Sequence, residues 1–288
     1  MIPGSFDYHC PKSIDQAIAL LSEKGEEARV LAGGHSLIPL MKVRMAAPEH
    51  LIDLRQIVEL KGIREDAGQI VIGAMTTQHD LLNSSLLASA VPIIAETAAL
   101  IADPQIRYKG TIGGNCANGD PGNDMPALML CLSADYELAG PKGTRNVPAR
   151  SFYNSAYDTA LKSDEILTAI RIPTPMAGHG YAYEKLKRKV GDYATAAAAV
   201  IITMAGGRCT SASIALTNVG DTPLFAEEAS QLLVESGLDA ATVSKAVAAA
   251  EAITSPASDM RGPAEYRTKM AGVMMRRALA RAMSRAGN

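Results

Sequence analysis

The sequence predicts an α+β protein. A two-part α/β unit over residues 1–53 and 54–177 is followed by a domain of antiparallel sheet and helices over residues 178–288. Three observations predict this. Two separate Gly-Gly pairs, Gly33-Gly34 and Gly113-Gly114, each lie between apolar segments of the kind that form strands and helices. A composition break falls at Thr174-Pro175, with Gly178 and Gly180 just beyond. The last third then reads as period-two alternation followed by three helical patterns. At 288 residues and 48% hydrophobic, the chain carries enough apolar material for more than one core.

In order, Ser13 with Gln16 three residues on forms a capping box, and Ile14, Ala17, Ile18 and Leu21 follow at helical spacing until Gly25. Ala28 to Ala32 is a strand leading to the first glycine loop, and His50 to Leu54 another. Between them Leu37 to Arg44 reads as a helix, with Pro39 in its first turn where a missing N–H costs little. Lys61–Arg64 and Gln69–Ala74 flank a turn as a hairpin, Thr77 caps a helix reaching Leu82, and Val91 to Ile101 is helical up to Asp103-Pro104. The run from Ala102 to Pro126 reads as a glycine-rich loop, and Met125 to Leu132 as the helix after it.

Beyond the break, Tyr181 to Lys189 alternates as a strand. Ala194 to Ala205 has helical propensity, but Val200, Ile201, Ile202 and Thr203 favour a strand, and Gly206-Gly207 turns it into Cys209–Leu216. Ala226–Glu235, Ala240–Ile253 and Ala264–Arg285 read as helices. The final one carries Arg267, Lys269, Arg276, Arg277, Arg281 and Arg285; basic residues there suit the helix dipole and read as a solvated face, with a docking surface as the alternative.

The net charge of −2 excludes an electrostatic footprint for nucleic acid, and no apolar run reaches the length of a membrane span. Pro3, Gly4 and Asp7 interrupt any signal-peptide core, so a cytoplasmic protein is expected. Cys10, Cys116, Cys131 and Cys209 form no C-x-x-C pair, and the five histidines form no ligand pair, so no metal site is expected. Cys116 reads as a small buried cysteine. No G-x-S-x-G elbow and no G-x-G-x-x-G fingerprint occurs, which argues against an α/β-hydrolase and a Rossmann enzyme.

The chemistry concentrates in Ala32-Gly33-Gly34-His35-Ser36 and Thr111-Ile112-Gly113-Gly114-Asn115. Glycine pairs lack Cβ atoms and let successive N–H groups face one oxyanion. Ser36 is expected to cap the following turn, and neither five-residue core contains Lys or Arg. An anion held there is bound mainly by backbone donors, and two such loops can grip one diphosphate.

AGGHS at Ala32–Ser36, TIGGN at Thr111–Asn115 and the trailing Pro121, Asp124 and Pro126 resemble the flavin-binding subunits of the molybdenum hydroxylases, the xanthine dehydrogenase group. Longer stretches, among them MIPGSFDYH, AGGHSLIPLMKVR, GNDMPALM and GDYATAAAAV, are similar to medium subunits of the aerobic carbon monoxide dehydrogenases within that family. The resemblance implies a PCMH-like FAD-binding domain, FAD on this chain, and oxidation of CO with water to CO2 on a partner. It implies a large subunit with a molybdenum–copper molybdopterin cofactor, a small subunit with [2Fe-2S] clusters, and a dimer of heterotrimers. A quinone acceptor and a cytoplasmic location, with association at the inner face of the cell membrane, come with it. A related hydroxylase acting on a purine, aldehyde or N-heterocycle is the alternative. By the same resemblance Asp124 matches an FAD-contacting aspartate that would accept from ribose or adenine, and Leu167, Lys185 and Tyr193 match positions at the isoalloxazine end; read as residues alone, Asp124 serves equally as a helix cap, and the others have plain readings as a core leucine, a solvated lysine and a core tyrosine.

Overall fold

The computed structural model describes residues 2–287. The first helix, Ile14–Lys24, starts where Ser13 Oγ accepts the Gln16 N–H at 3.2 Å and stops at Gly25, whose φ of 55° suits glycine. The helix covers a parallel three-stranded sheet in the order Asp7–His9, His50–Asp53, Ala28–Leu31. Ile18, Leu21, Ile52 and Leu54 fill the core between them.

The second part combines a five-stranded sheet with a long run of helices, as the mixed fold class expects. Its five strands run Ile63–Asp66, Gln69–Gly73, Ile166–Pro173, Asp135–Gly140, Gly143–Pro148, and every neighbouring pair is antiparallel. The helices from Gln78 to Cys131 form one long insertion between two strands that are not neighbours. Gln69–Gly73 and Asp135–Gly140 run in the same direction, with the antiparallel Ile166–Pro173 between them, so the insertion carries the chain across that strand, and hairpin turns join only the two outer pairs. At one such turn Ala67 and Gly68 both take positive φ, 50° and 76°.

The stretch from Ala102 to Pro126 is more ordered than a loop. Asp103 caps a turn of helix at Pro104–Arg107, and Thr111 caps another at Ile112–Ala117, its Oγ1 accepting the Gly114 N–H at 3.1 Å. Helix Asp124–Cys131 follows, buried along its whole length.

The third sheet runs Gly180–Leu186, Ala196–Ala205, Arg208–Thr217, Leu224–Phe225, all antiparallel. Ala196–Ala205 is a strand despite its alanines. Ala197 and Ala199 face the core shared with helices Pro92–Leu100 and Asp124–Cys131, while Ala196, Ala198 and Val200 face helix Ala264–Arg285. Small side chains allow helices to close on both faces of this strand, so packing overrides the helical propensity of alanine. Ala197, Ala199 and Tyr183 pack into the core of the second part, while Ala182, Ala196, Ala198 and Val200 on the other face of the sheet join the C-terminal helices in a separate core.

The basic residues of the final helix are mostly consumed within the chain rather than solvated. Arg267 is buried and donates to the carbonyls of Thr195, Asn218 and Ala257. Lys269 pairs with Glu251, and Arg281 with Glu184 and Glu96. Strand Gly180–Leu186 is an edge of its sheet, and Glu96 accepts its Tyr183 N–H at 2.8 Å while Arg285 donates to its Tyr181 carbonyl at 2.7 Å. Side chains thus cover a strand edge that would otherwise present open backbone groups. Among the described residues no helix is long and apolar enough to cross a membrane.

Candidate functional site

The two Gly-Gly loops meet. A Cβ built on Gly33 collides with the Lys109 carbonyl oxygen and lies 2.8 Å from Gly110 Cα, and one built on Gly114 lies 3.3 Å from Ala32 Cβ. Gly113 is pressed as closely on Ala74, 2.5 Å from its Cβ. Glycine is required at these positions by approach, since no φ in the left-handed region is involved at any of the three. The loops form one wall region of a cleft of about 1220 Å³, which reaches from the first sheet to the C-terminal sheet.

Of the residues singled out in the sequence, Ala32, Gly33, Gly34, His35, Ser36, Thr111, Gly113, Gly114, Asn115, Asp124, Leu167, Lys185 and Tyr193 all line this cleft. Ile112 does not: its side chain is fully buried in the core and its N–H donates to the Thr76 carbonyl at 3.0 Å. It anchors the second loop from behind.

The donors are unequally distributed between the loops. In the second loop the N–H groups of Gly113, Gly114 and Asn115 are already given to Ala74 O, Thr111 Oγ1 and Thr111 O. The Asn115 Oδ1 accepts the Met125 N–H at 3.2 Å. In the first loop, no partner among the described residues takes the N–H groups of Gly33, Gly34, His35 and Ser36. Ser36 does not cap the next turn as expected: its backbone is already helical (φ −103°, ψ −53°), because the turn begins at Gly34, whose carbonyl accepts the Ile38 N–H at 3.1 Å. The free backbone donors for an oxyanion therefore sit mainly on the first loop, and the second supplies close approach.

Asp124, whose neighbours Asn123 and Met125 bond Asn115 of the second loop, opens its helix without capping it. Its Oδ2 accepts from Lys185 Nζ at 2.6 Å and its Oδ1 from the Tyr183 hydroxyl at 2.7 Å, which also meets Thr217 Oγ1 at 3.1 Å. Burial, and then the neighbouring Asp124 charge, push the Tyr183 phenol well above its ordinary range, so the hydroxyl stays a donor. Leu167 stands beside a bulge where the strand Ile166–Pro173 slips by a residue against Asp135–Gly140. Tyr193 rests its ring on Gly122, whose built Cβ would lie 3.0 Å from Tyr193 Cδ1, and donates its hydroxyl to Asp120 Oδ2 at 3.2 Å. Burial and Asp120 raise its pKa.

Cys116 lies behind the second loop and outside the cleft; burial pushes its thiol up to about 12. Residues that the sequence did not single out also line the cleft, among them Gln78, Met75, Tyr157, Leu161 and Ile166. These are ordinary apolar or polar residues without a motif. The strand and loop edges that carry them come together only in the folded chain.

The cleft suits a dinucleotide with a diphosphate linker: adjacent unpaired amides for the anion, glycine floors that a Cβ would fill, and an elongated volume lined partly by apolar groups. Residues 4–175 match the family model of the FAD binding domain in molybdopterin dehydrogenase, and residues 181–282 that of the CO dehydrogenase flavoprotein C-terminal domain. The chain belongs to this family of FAD-binding flavoproteins of the molybdopterin dehydrogenases. It is 69% identical to the carbon monoxide dehydrogenase medium chain of Afipia carboxidovorans over the full length of both, and 50% identical to that of Hydrogenophaga pseudoflava over 99% of each. A solved chain of the Cu,Mo-CO dehydrogenase, 70% identical, superposes with a TM-score of 0.98, covering 99% of this chain and 100% of that one.

Proposed function

We propose that this chain is the FAD-carrying subunit of an aerobic carbon monoxide dehydrogenase. It takes electrons from [2Fe-2S] clusters of a small partner subunit and delivers them to a quinone, while CO is oxidised with water to CO2 on a large subunit bearing a molybdenum–copper molybdopterin cofactor. Assembly is as a dimer of heterotrimers, in the cytoplasm or at the inner face of the membrane. The observation that carries this reading is the direct packing of Gly33 on Gly110 and of Gly114 on Ala32, which makes one diphosphate-sized cradle from two distant loops. The full-length similarity to carbon monoxide dehydrogenase medium chains favours CO over the substrates of more distant relatives.

Residues 1–53 and 54–177 would carry the cofactor and 178–288 close the cleft over its ring end. When bound, FAD supplies chemistry that takes up and releases electrons singly or in pairs. Gly33, Gly34, His35 and Ser36 would hold the diphosphate through their free N–H groups; Thr111 to Asn115 would hold the second loop against it, with Ile112 as anchor. Asp124, Lys185, Leu167 and Tyr193 would bound the isoalloxazine. The Asp124–Lys185 pair balances charge there, and Tyr193, pinned on Gly122 and Asp120, limits access of water.

Purification of the tagged chain from its host tests the reading. The expected preparation contains one FAD per chain and molybdenum- and iron–sulfur-bearing partners, and it reduces a dye when CO is supplied. Flavin and partners with activity only towards an aldehyde or N-heterocycle would support the related-hydroxylase alternative. A preparation free of flavin, and unable to take it up, would end the proposal.

A further inference from the structure

Gln78 lines the same cleft. Its backbone N–H donates to the Gly110 carbonyl at 2.8 Å, and this fixes it beside the second glycine loop. The residue is 2% exposed and lines the cleft, and neither its Nε2 nor its Oε1 has a hydrogen-bond partner among the described residues. A point at the Cβ position of Gly110 lies 3.1 Å from the Ile106 carbonyl oxygen, 3.8 Å from His35 Cδ2 and 4.0 Å from Gln78 Cγ, so the Gln78 and His35 side chains both approach this glycine.

A buried carboxamide with both ends unpaired is costly unless something in the cleft answers both ends. A phosphate oxygen answers only the NH2 group and sets its charge against the carbonyl oxygen. A hydroxyl-bearing chain answers both, one hydroxyl accepting from Nε2 and another donating to Oε1. The geometry points to Gln78 as the residue that binds the sugar hydroxyls of FAD flanking the diphosphate, on the ribityl chain or on the adenosine ribose. This rests on the flavin reading above and adds a neutral, bidentate contact next to the backbone donors of Gly33–Ser36.

The test uses the full-length chain in the complex with which it purifies, stripped of flavin and titrated with FAD, FMN and ADP by fluorescence and calorimetry. Gln78→Leu and Gln78→Met keep the volume and remove both polar ends. They are expected to weaken FAD binding about tenfold or more. The flavin-free protein should melt at the same temperature or higher, since an unanswered amide has been removed from the interior. Gln78→Glu, which keeps the shape but only accepts and adds a charge near the diphosphate, should bind FAD more weakly still. A parallel loss for FMN assigns the contact to the ribityl chain, and a parallel loss for ADP assigns it to the ribose. Unchanged FAD affinity in both apolar variants overturns the inference, as does a lowered melting temperature of the flavin-free variants that accounts for the weaker binding. A wild-type complex that takes up no FAD would instead refute the flavin reading itself.

Discussion

Asp124 and Lys185 form a 2.6 Å ion pair between the helix that follows the second glycine loop and the first strand of the C-terminal sheet, with side chains only 5% and 2% exposed. Two charges so far out of water are tolerated because each is answered. Asp124 accepts from both Lys185 and Tyr183, and the pair ties the two halves of the cleft together.

Removing one partner should therefore cost more than removing both. Asp124→Asn leaves a buried ammonium without its counter-charge, and we expect a loss of about 3–5 kcal/mol in urea unfolding. Lys185→Met should cost less, since Tyr183 still donates to the carboxylate. The double variant Asp124→Leu/Lys185→Met should be more stable than the sum of the single losses predicts; strict additivity would contradict the pairing.

Gly33→Ala places a methyl group against the Lys109 carbonyl and Gly110, and no backbone strain is involved because the Gly33 φ is ordinary. Overpacking of this kind costs about 1–3 kcal/mol, which spread over the loop contact corresponds to a loss in FAD affinity of roughly 5- to 100-fold. Gly4→Ala, whose Cβ would meet nothing nearer than Arg44 Nη1 at 3.6 Å, serves as the control and should bind FAD normally. Equal affinities in the two variants would show that the loops are free to move apart.

Glu96 covers the edge of the C-terminal sheet. Glu96→Ala leaves the Tyr183 N–H without an acceptor and releases Arg285, and it is expected to destabilise the chain by about 1–3 kcal/mol. Glu96→Gln can still accept from the Tyr183 N–H and should lose less. If the two variants are equally damaged, the ion pairs with Arg281 and Arg285 outweigh the edge contact.

Acid should loosen the part of the cleft wall that Glu165 lines. The Arg145 guanidinium, which bonds both oxygens of Glu165 at 2.8 Å, holds this carboxyl below its usual range, against an opposing effect of burial. A carboxylate with a depressed folded-state pKa adds stability that is present above its unfolded value, about 4.3, and disappears as pH falls through the folded value. Wild type should therefore lose stability between about pH 5 and pH 3, and Glu165→Gln should lose less across that window. Identical pH profiles for urea midpoints would remove Glu165 from the account.

Much of the local structure was legible because its causes are local. Ser13, Thr77 and Gly25 mark helix ends through contacts within a few residues, and Gly206-Gly207 sets a hairpin by its own backbone preference. The pairing of the second sheet was not legible. Its neighbouring strands Gln69–Gly73 and Ile166–Pro173 are separated by a long helical insertion, and nothing in either strand announces the other. Gln78 was invisible for a similar reason, since a glutamine after a capping threonine has the look of surface until Gly110 and His35 are brought to its side.

By itself, the sequence determined the two glycine loops, the strand character of an alanine-rich segment and a family resemblance written along the whole chain, because each depends on residue type and short-range order. Only the tertiary structure decided that the first loop keeps its N–H groups free while the second spends most of its own, and that Asp124 answers Lys185 across 61 residues. It also turned most of the arginines of the last helix inward, onto carbonyls and carboxylates of the same chain. Hydrogen bonds are exclusive: which donor remains available to a ligand is known only when every competing acceptor has its place.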